Sequence, residues 1–184
     1  VTAVESVELS VGSLLLRPPS VAEAADALAM LRDPLTALWN PASRVVDEAT
    51  AAAWCASLGD WGPGDHATFS VLDAATERLL GNVSVHNVDR EQGTAEIGYR
   101  VAPWARGRGV GTAAVRAVSD WAFGGLGLHR IQLFHAVANP ASCRVATVAG
   151  YRWEGTLRES TSYGDGLRHD EHLHARLVGD AVSE

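Results

Sequence analysis

The sequence predicts an α+β fold, and three observations carry that reading. Hydrophobic spacing changes from helical to strand-like after Thr68, "TFSVLD", "LLGNVSVHNV" and "TAEIGYRV" follow one another across short turns, and strand and helix segments interleave to the end. The order reads strand, two helices, three strands, helix, strand, helix, two strands. That makes about seven strands and about four helices. A chain of 184 residues fits a single domain, 1–184, with residues 1–10 and 179–184 expected as flexible ends.

Each element has a local reason. The opening segment carries Glu5 and Glu8 where a secretory signal would carry basic residues. It reads as a first strand, Leu14–Arg17, of a cytoplasmic protein. Ser20 with Glu23 forms a capping-box pattern, and Val21, Ala24, Ala25, Leu28 and Leu31 share one helical face before Asp33 and Pro34 end it. A second helix is expected over 47–58, stopped by Gly59. Between them Pro34 and Pro41 bracket Trp39 and argue against regular structure.

After three adjacent antiparallel strands, a helix is expected over 109–123, with Val110, Ala113, Ala114, Ala117, Val118 and Trp121 on one face. "RIQLFHAV" is the next strand. "NPASCRVATVAG" reads as a helix with Asn139 as N-cap, Pro140 at the first helical position and Gly150 as its stop. Two long strands joined at "GDG" close the chain.

Composition removes several function classes. The net charge of -7 gives no broad electrostatic grip on nucleic acid, and no apolar run approaches the roughly 20 residues of a bilayer span. All 15 basic residues are arginine. This excludes a Walker A loop, a Schiff-base enzyme and a lysine general base. Cys55 and Cys143 lie far apart without CxxC or Cys/His ligand spacing, so they read as packed thiols.

The stretch "ARGRGVGT" sits between a strand and a helix. Glycines permit a tight turn, the first helical N–H groups lack partners, and Arg106 and Arg108 add positive charge. Together they suit a pyrophosphate. On spacing alone a solvated connector is the alternative. A dinucleotide turn fits poorly, because the spacing is G-x-G-x-G and "FHAV" offers no acid for a ribose.

"RGRGVG" resembles the R-x-x-G-x-G acyl-CoA signature of the GNAT N-acetyltransferases. "AEIGYRV" looks like that family's splayed strand, "NPASCRVATVAGYRWEG" is similar to its N-x-x-S…G-[FY]-x-x-E-G segment, and "HDEHLHARL" to its closing strand. The pattern is similar to the RimJ/RimL-like branch. The resemblance implies a twisted, mostly antiparallel mixed sheet in α/β/α layers and acetyl-CoA as acyl donor. It places Arg106, Gly107, Arg108, Gly109, Val110, Gly111 and Thr112 at the pyrophosphate, Ile97, Gly98, Tyr99 and Val101 along the pantetheine arm, and Asn139, Ser142 and Arg144 on the following helix.

An amine must lose its proton to attack a thioester, so a base is needed in the cleft. Glu96, on the strand beside the implied thioester, is the candidate base, with a cross-strand ion pair as its alternative role. Ser142 resembles the serine that steadies the departing thiolate in this branch. Many members of that family place a tyrosine at the position of Ala146, so its absence here leaves Ser142 or solvent to protonate the thiolate. An acyl-cysteine at Cys143 is disfavoured, since no histidine partner is identifiable. His169, His172 and His174 could suggest a metal, but alternation sets His172 and His174 on one face, bordering the acceptor cleft or the surface; no metal is expected. Trp39, Asn40, His86, Tyr163 and His169 are expected at the acceptor.

The expected activity is acetyl transfer from acetyl-CoA to a primary amine, either a peptide or protein N-terminus or a small molecule. A non-catalytic acyl-CoA-binding module is the alternative, with a nicotinamide-dependent enzyme far behind. No nucleic-acid or membrane partner is expected, and the resemblance suggests a homodimer through the final strands.

Overall fold

The computed structural model describes residues 4–181. The expected flexible ends fall partly on residues 1–3 and 182–184, outside the described residues; within the first stretch, Val4 is buried and Leu9 already belongs to a strand.

The chain begins with a hairpin, β1 (Leu9–Val11) and β2 (Leu14–Arg17), turning at Gly12, whose φ of 57° is left-handed. Ser20 and Glu23 form the expected capping box, with the Ser20 amide donating to Glu23 Oε2 at 2.6 Å. A 3-10 turn (Val21–Glu23) leads into α1 (Ala24–Leu31). α2 (Pro34–Trp39) and α3 (Glu48–Gly59) follow, then β3 (Ala67–Asp73), β4 (Leu79–Asp89) and β5 (Thr94–Val101). A 3-10 turn (Pro103–Ala105), α4 (Val110–Gly125), β6 (Arg130–Ala136), α5 (Pro140–Val148), β7 (Arg152–Ser162) and β8 (Arg168–Leu177) complete the chain.

Two elements exceed the sequence expectation. β1 makes the sheet eight-stranded rather than about seven. The Trp39 segment, read as irregular, is helical. Pro34 occupies its first position, where a missing N–H costs nothing, and the Asp33 side chain accepts the Thr36 amide at 2.9 Å.

The strand order is β1-β2-β3-β4-β5-β6-β8-β7, and every neighbouring pair is antiparallel except β5 and β6. Helices cover both faces. Phe69 of β3 meets Trp121 of α4 at 5.2 Å and Trp61 at 4.7 Å. On the opposite face its neighbour Ser70 donates to Glu23, next to α1. Six of the seven β3 residues are buried, as a strand covered on both sides requires. Among the described residues, no helix is long and apolar enough to cross a membrane.

The break in this sheet positions the site. β5 pairs with β6 only over Thr94–Arg130, Ala95–Ile131 and Glu96–Gln132. Beyond Glu96 the two strands part, while β5 stays paired to β4 as far as Val101 and β6 stays paired to β8 as far as Ala136. One edge of β5 therefore faces an opening.

Candidate active site

That opening is a cavity of about 820 Å³, walled by residues 97–101 of β5, 133–136 of β6, the turn before α4, α5 along its length, and α2. Of the residues expected at the cofactor, Ile97, Gly98, Tyr99, Val101, Arg106, Gly107, Gly109, Val110, Gly111, Thr112, Asn139, Ser142 and Arg144 line it. Arg108 lies outside the wall. The Asp73 carboxyl is held below its ordinary value chiefly by the Thr76 and Ala75 amides, with a contribution from the Arg108 charge. On the acceptor side Trp39, Asn40 and Tyr163 line the cavity, whereas His86, Glu96 and His169 do not.

The three glycines of the turn serve two purposes. Gly107 and Gly109 have φ of 74° and 76°, with open space where a Cβ would stand, so backbone conformation alone favours glycine there. Gly111 is helical, but a Cβ on it would lie 3.1 Å from Val101 Cγ2 and 3.2 Å from Tyr99 Cε2. Its bareness lets α4 settle onto β5. Asp33, Asp47 and Asn139 cap α2, α3 and α5 with their side chains, but α4 starts on Gly109 with no side-chain cap. Its first amides and its dipole point into the cavity mouth with positive character.

Arg106 is only partly free for an anion. One of its amino groups bonds Asp33 and reaches Thr36 Oγ1 at 3.1 Å, tying the turn to α2. That guanidinium holds the Asp33 carboxyl below its ordinary value of 3.8. Sequence reasoning missed this tie, which spans 73 residues.

On the far wall Tyr99 Oη donates to Ser142 Oγ at 3.1 Å. Burial raises the Tyr99 pKa, so it remains a phenol and a donor. Asn139 Oδ1 accepts the Ser142 amide at 3.3 Å, fixing the first turn of α5. Ala146 is fully buried and outside the cavity wall.

His86 and Glu96 face each other across β4 and β5, with Nε2 to Oε2 at 3.6 Å, and Asn87 donates to Glu96 Oε1 at 3.1 Å. Glu96 shares a face of β5 with Gly98 and Arg100, which do line the cavity. His86 lies over Gly98, its Cε1 3.4 Å from the place of a Cβ. Arg100 lies over Trp54 at 5.6 Å and donates to the Asn40 carbonyl at 3.4 Å; burial lowers its pKa to about 10. It has no carboxylate at ion-pair distance among the described residues.

Trp39, Tyr163 and His169 form an aromatic group with centroids 5.4–5.8 Å apart, and His169 bonds Asp165 at 2.8 Å. Glu171, unremarked in the sequence, is buried and accepts from Ser160 (2.6 Å), Thr161 (2.7 Å) and Tyr163 (2.7 Å). It anchors the hairpin end that carries Tyr163 to the cavity wall.

The histidines regroup. His172 and His174 share a face as expected, but His135 of β6 joins them in place of His169. His174 is almost fully buried rather than at a cleft border or surface, because α5 covers that face. Burial lowers the pKa of both His135 and His174. Cys143, read as lacking a histidine partner, has its Sγ 3.9 Å from His174 Nε2. The pairing joins residues 31 positions apart, beyond the reach of local pattern.

Comparison with known proteins agrees with this geometry. A family model described as an acetyltransferase (GNAT) domain matches residues 13–152. YdaF of Bacillus subtilis is 39% identical over 92 residues, 50% of this chain and 50% of that protein. The ribosomal-protein-serine acetyltransferase of Escherichia coli is 31% identical over 103 residues, 55% of this chain and 56% of the other. The chain thus spans about half the length of the curated relatives it matches. Among solved structures, Mycobacterium smegmatis RimJ in complex with CoA-disulfide superposes with a TM-score of 0.82 at 25% identity, covering 94% of this chain and 87% of that one. From Vibrio fischeri, ribosomal-protein-S5-alanine acetyltransferase has the same fold, with a TM-score of 0.81 at 20% identity over 97% and 100% of the two chains. The splayed β5 and β6, the glycine turn and the family match together place this chain in the GNAT acetyltransferase family.

Proposed function

We propose that the chain is an acetyl-CoA-dependent N-acetyltransferase that moves the acetyl group directly to a primary amine. The observation that carries this reading is an uncapped helix N-terminus, α4, set beside the free edge of β5. The amides of Val110, Gly111 and Thr112 suit the pyrophosphate, with the positive charge of Arg106 nearby. Backbone groups of residues 97–101 offer an unpaired strand edge to the amides of the pantetheine arm. Arg144, on the cavity wall, serves the nucleotide end.

The chemistry needs a proton acceptor and a donor. Glu96, with His86 beside it, accepts the amine proton from the face that carries Gly98 and Arg100. The neutral amine nitrogen then attacks the thioester carbonyl, the carbon–sulfur bond breaks, the nitrogen releases its second proton to solvent, and the departing thiolate, held by a hydrogen bond from Ser142, takes one up. Tyr99 supports that step, because its donation to Ser142 Oγ leaves the serine proton directed elsewhere. This relay supplies from β5 what Ala146 cannot, and it favours turnover over mere CoA binding.

Arg100 bears on the acceptor. An uncompensated guanidinium at the cavity wall repels a polycation and attracts a carbonyl or carboxylate next to the amine. A peptide N-terminus fits that better than a polyamine. The relatives include a ribosomal-protein-serine acetyltransferase and the spermidine N(1)-acetyltransferase of Vibrio cholerae, 30% identical over 89 residues, so both classes belong in the assay. A homodimer through the final strands stays part of the proposal; β7 forms the sheet edge and exposes Trp153 and Leu157.

The test is CoA release with matched N-acetyl product across a panel of peptides, amino acids and polyamines. Glu96→Gln should lower kcat by about 10²–10⁴-fold, the range of a positioned general base, with CoA affinity unchanged. An unchanged rate in that variant would remove Glu96 from its role.

A further inference from the structure

We propose that His135, His172, His174 and Cys143 form a binding site for one divalent transition-metal cation of the zinc type, joining α5 to β6 and β8. His135 and His172 are directly opposite in the β6–β8 register, and His174 follows two residues later on the same face. Cys143, in the first turns of α5, lies over that face. Each residue offers one ligand atom, and all four atoms lie within 4.8 Å of one another.

Two of the distances lie near tetrahedral values, and all four ligand atoms fall within 4.8 Å of one another. Metal–nitrogen bonds near 2.05 Å and a metal–sulfur bond near 2.3 Å put tetrahedral ligands about 3.3 Å apart for N···N and about 3.6 Å for N···S. Here His135 Nε2 and His174 Nε2 are 3.2 Å apart, and Cys143 Sγ is 3.9 Å from His174 Nε2. Side-chain rotations would have to draw the set together onto one ion.

The hydrogen bonds around the site point to a ligand. His135 Nδ1 faces the Ala136 carbonyl at 2.8 Å and His174 Nδ1 faces the Tyr151 carbonyl at 3.4 Å. If both nitrogens donate to those carbonyls, both Nε2 atoms present lone pairs to each other. Without a metal ion, either one ring gives up its carbonyl or one ring carries an extra proton between the two nitrogens. A metal removes that conflict and leaves each imidazole oriented by a carbonyl behind it, the usual outer-shell arrangement. Buried His172 Nδ1 has no hydrogen-bond partner among the described residues, an orphan that the same ion would satisfy.

On binding, the Cys143 thiol loses its proton to solvent and its sulfur takes the fourth position. The ion would then fix the turn of α5 that also carries Ser142, one residue away. The proposal stands independently of the acetyl-transfer reading.

The untagged chain, residues 1–184, is titrated with Co(II) and then with Zn(II), alongside Cys143→Ser and His172→Asn. One equivalent of Co(II) should give intense tetrahedral visible bands and a thiolate-to-cobalt band, both displaced by one equivalent of Zn(II). Cys143→Ser should lose the thiolate band, and each variant should weaken Zn(II) binding by at least about tenfold. Because a variant can misfold, alkylation of wild-type Cys143 is also followed by peptide mass spectrometry. One equivalent of Zn(II) should slow it at least about tenfold. Absence of the thiolate band, unprotected Cys143, or equal Zn(II) binding by the variants would overturn the site and leave the ion on surface histidines.

Discussion

Tyr99→Phe and Ser142→Ala, alone and together, separate a hydroxyl relay from two independent donors. Tyr99 reaches Ser142 Oγ at 3.1 Å, so the phenol acts on the thiolate through the serine. Ser142→Ala should lower kcat by up to about 10²-fold, the low end for a preorganised donor, because a thiolate is less basic than an alkoxide. Tyr99→Phe removes one neutral hydrogen bond of about 0.5–1.5 kcal/mol, which converts to a loss of about 2- to 13-fold. In the Ser142→Ala background, Tyr99→Phe should then cost almost nothing, giving a coupling of about the same 0.5–1.5 kcal/mol. The assay is initial-rate thiol release at saturating acetyl-CoA and acceptor, with thermal melts confirming that all three variants fold. Additive losses in the double variant would refute the relay and set Tyr99 directly on the reacting group.

Three further outcomes follow from the geometry. Gly109→Ala forces a side chain into left-handed backbone, which costs about 1–2 kcal/mol; calorimetry should show a Tm lower by roughly 2–8 °C in a chain of this size. The folded Asp33 pKa lies below 3.8, chiefly through its bond to Arg106, so its contribution to stability is present above that value and fades as pH falls through the folded pKa. Acid titrations of stability should therefore be flatter below pH 3.8 for Asp33→Asn than for the unaltered chain. Arg100→Gln should raise KM for peptide acceptors and lower it for polyamines, and a uniform loss for both would remove Arg100 from acceptor selection.

Much of the site was legible because its signals are local. The turn between β5 and α4 carries its glycines in sequence, Asn139 and Pro140 announce α5, and the antiparallel run of β3, β4 and β5 alternates visibly. α2 departs from the sequence expectation because Pro34 and Pro41 both read as breakers, although Asp33 followed by Pro34 is a helix start. β1 is three residues long, too short for a period to show. Arg106 paired with Asp33, Tyr99 with Ser142, and His135 with the β8 histidines all depend on register or on helices docking across the sheet. No local pattern encodes those meetings. Glu171 escaped for the same reason, since its three hydroxyl partners come from the end of β7 and the turn just beyond it.

Acetyl transfer by this chain requires the opening between β5 and β6 to hold acetyl-CoA beside an amine. Mass spectrometry of peptide and amine panels incubated with acetyl-CoA and purified chain, with CoA thiol measured in parallel, tests it most directly. One N-acetylated product should form per CoA released, with peptides preferred over polyamines. Tight CoA binding with no acetylated product from any acceptor would contradict it.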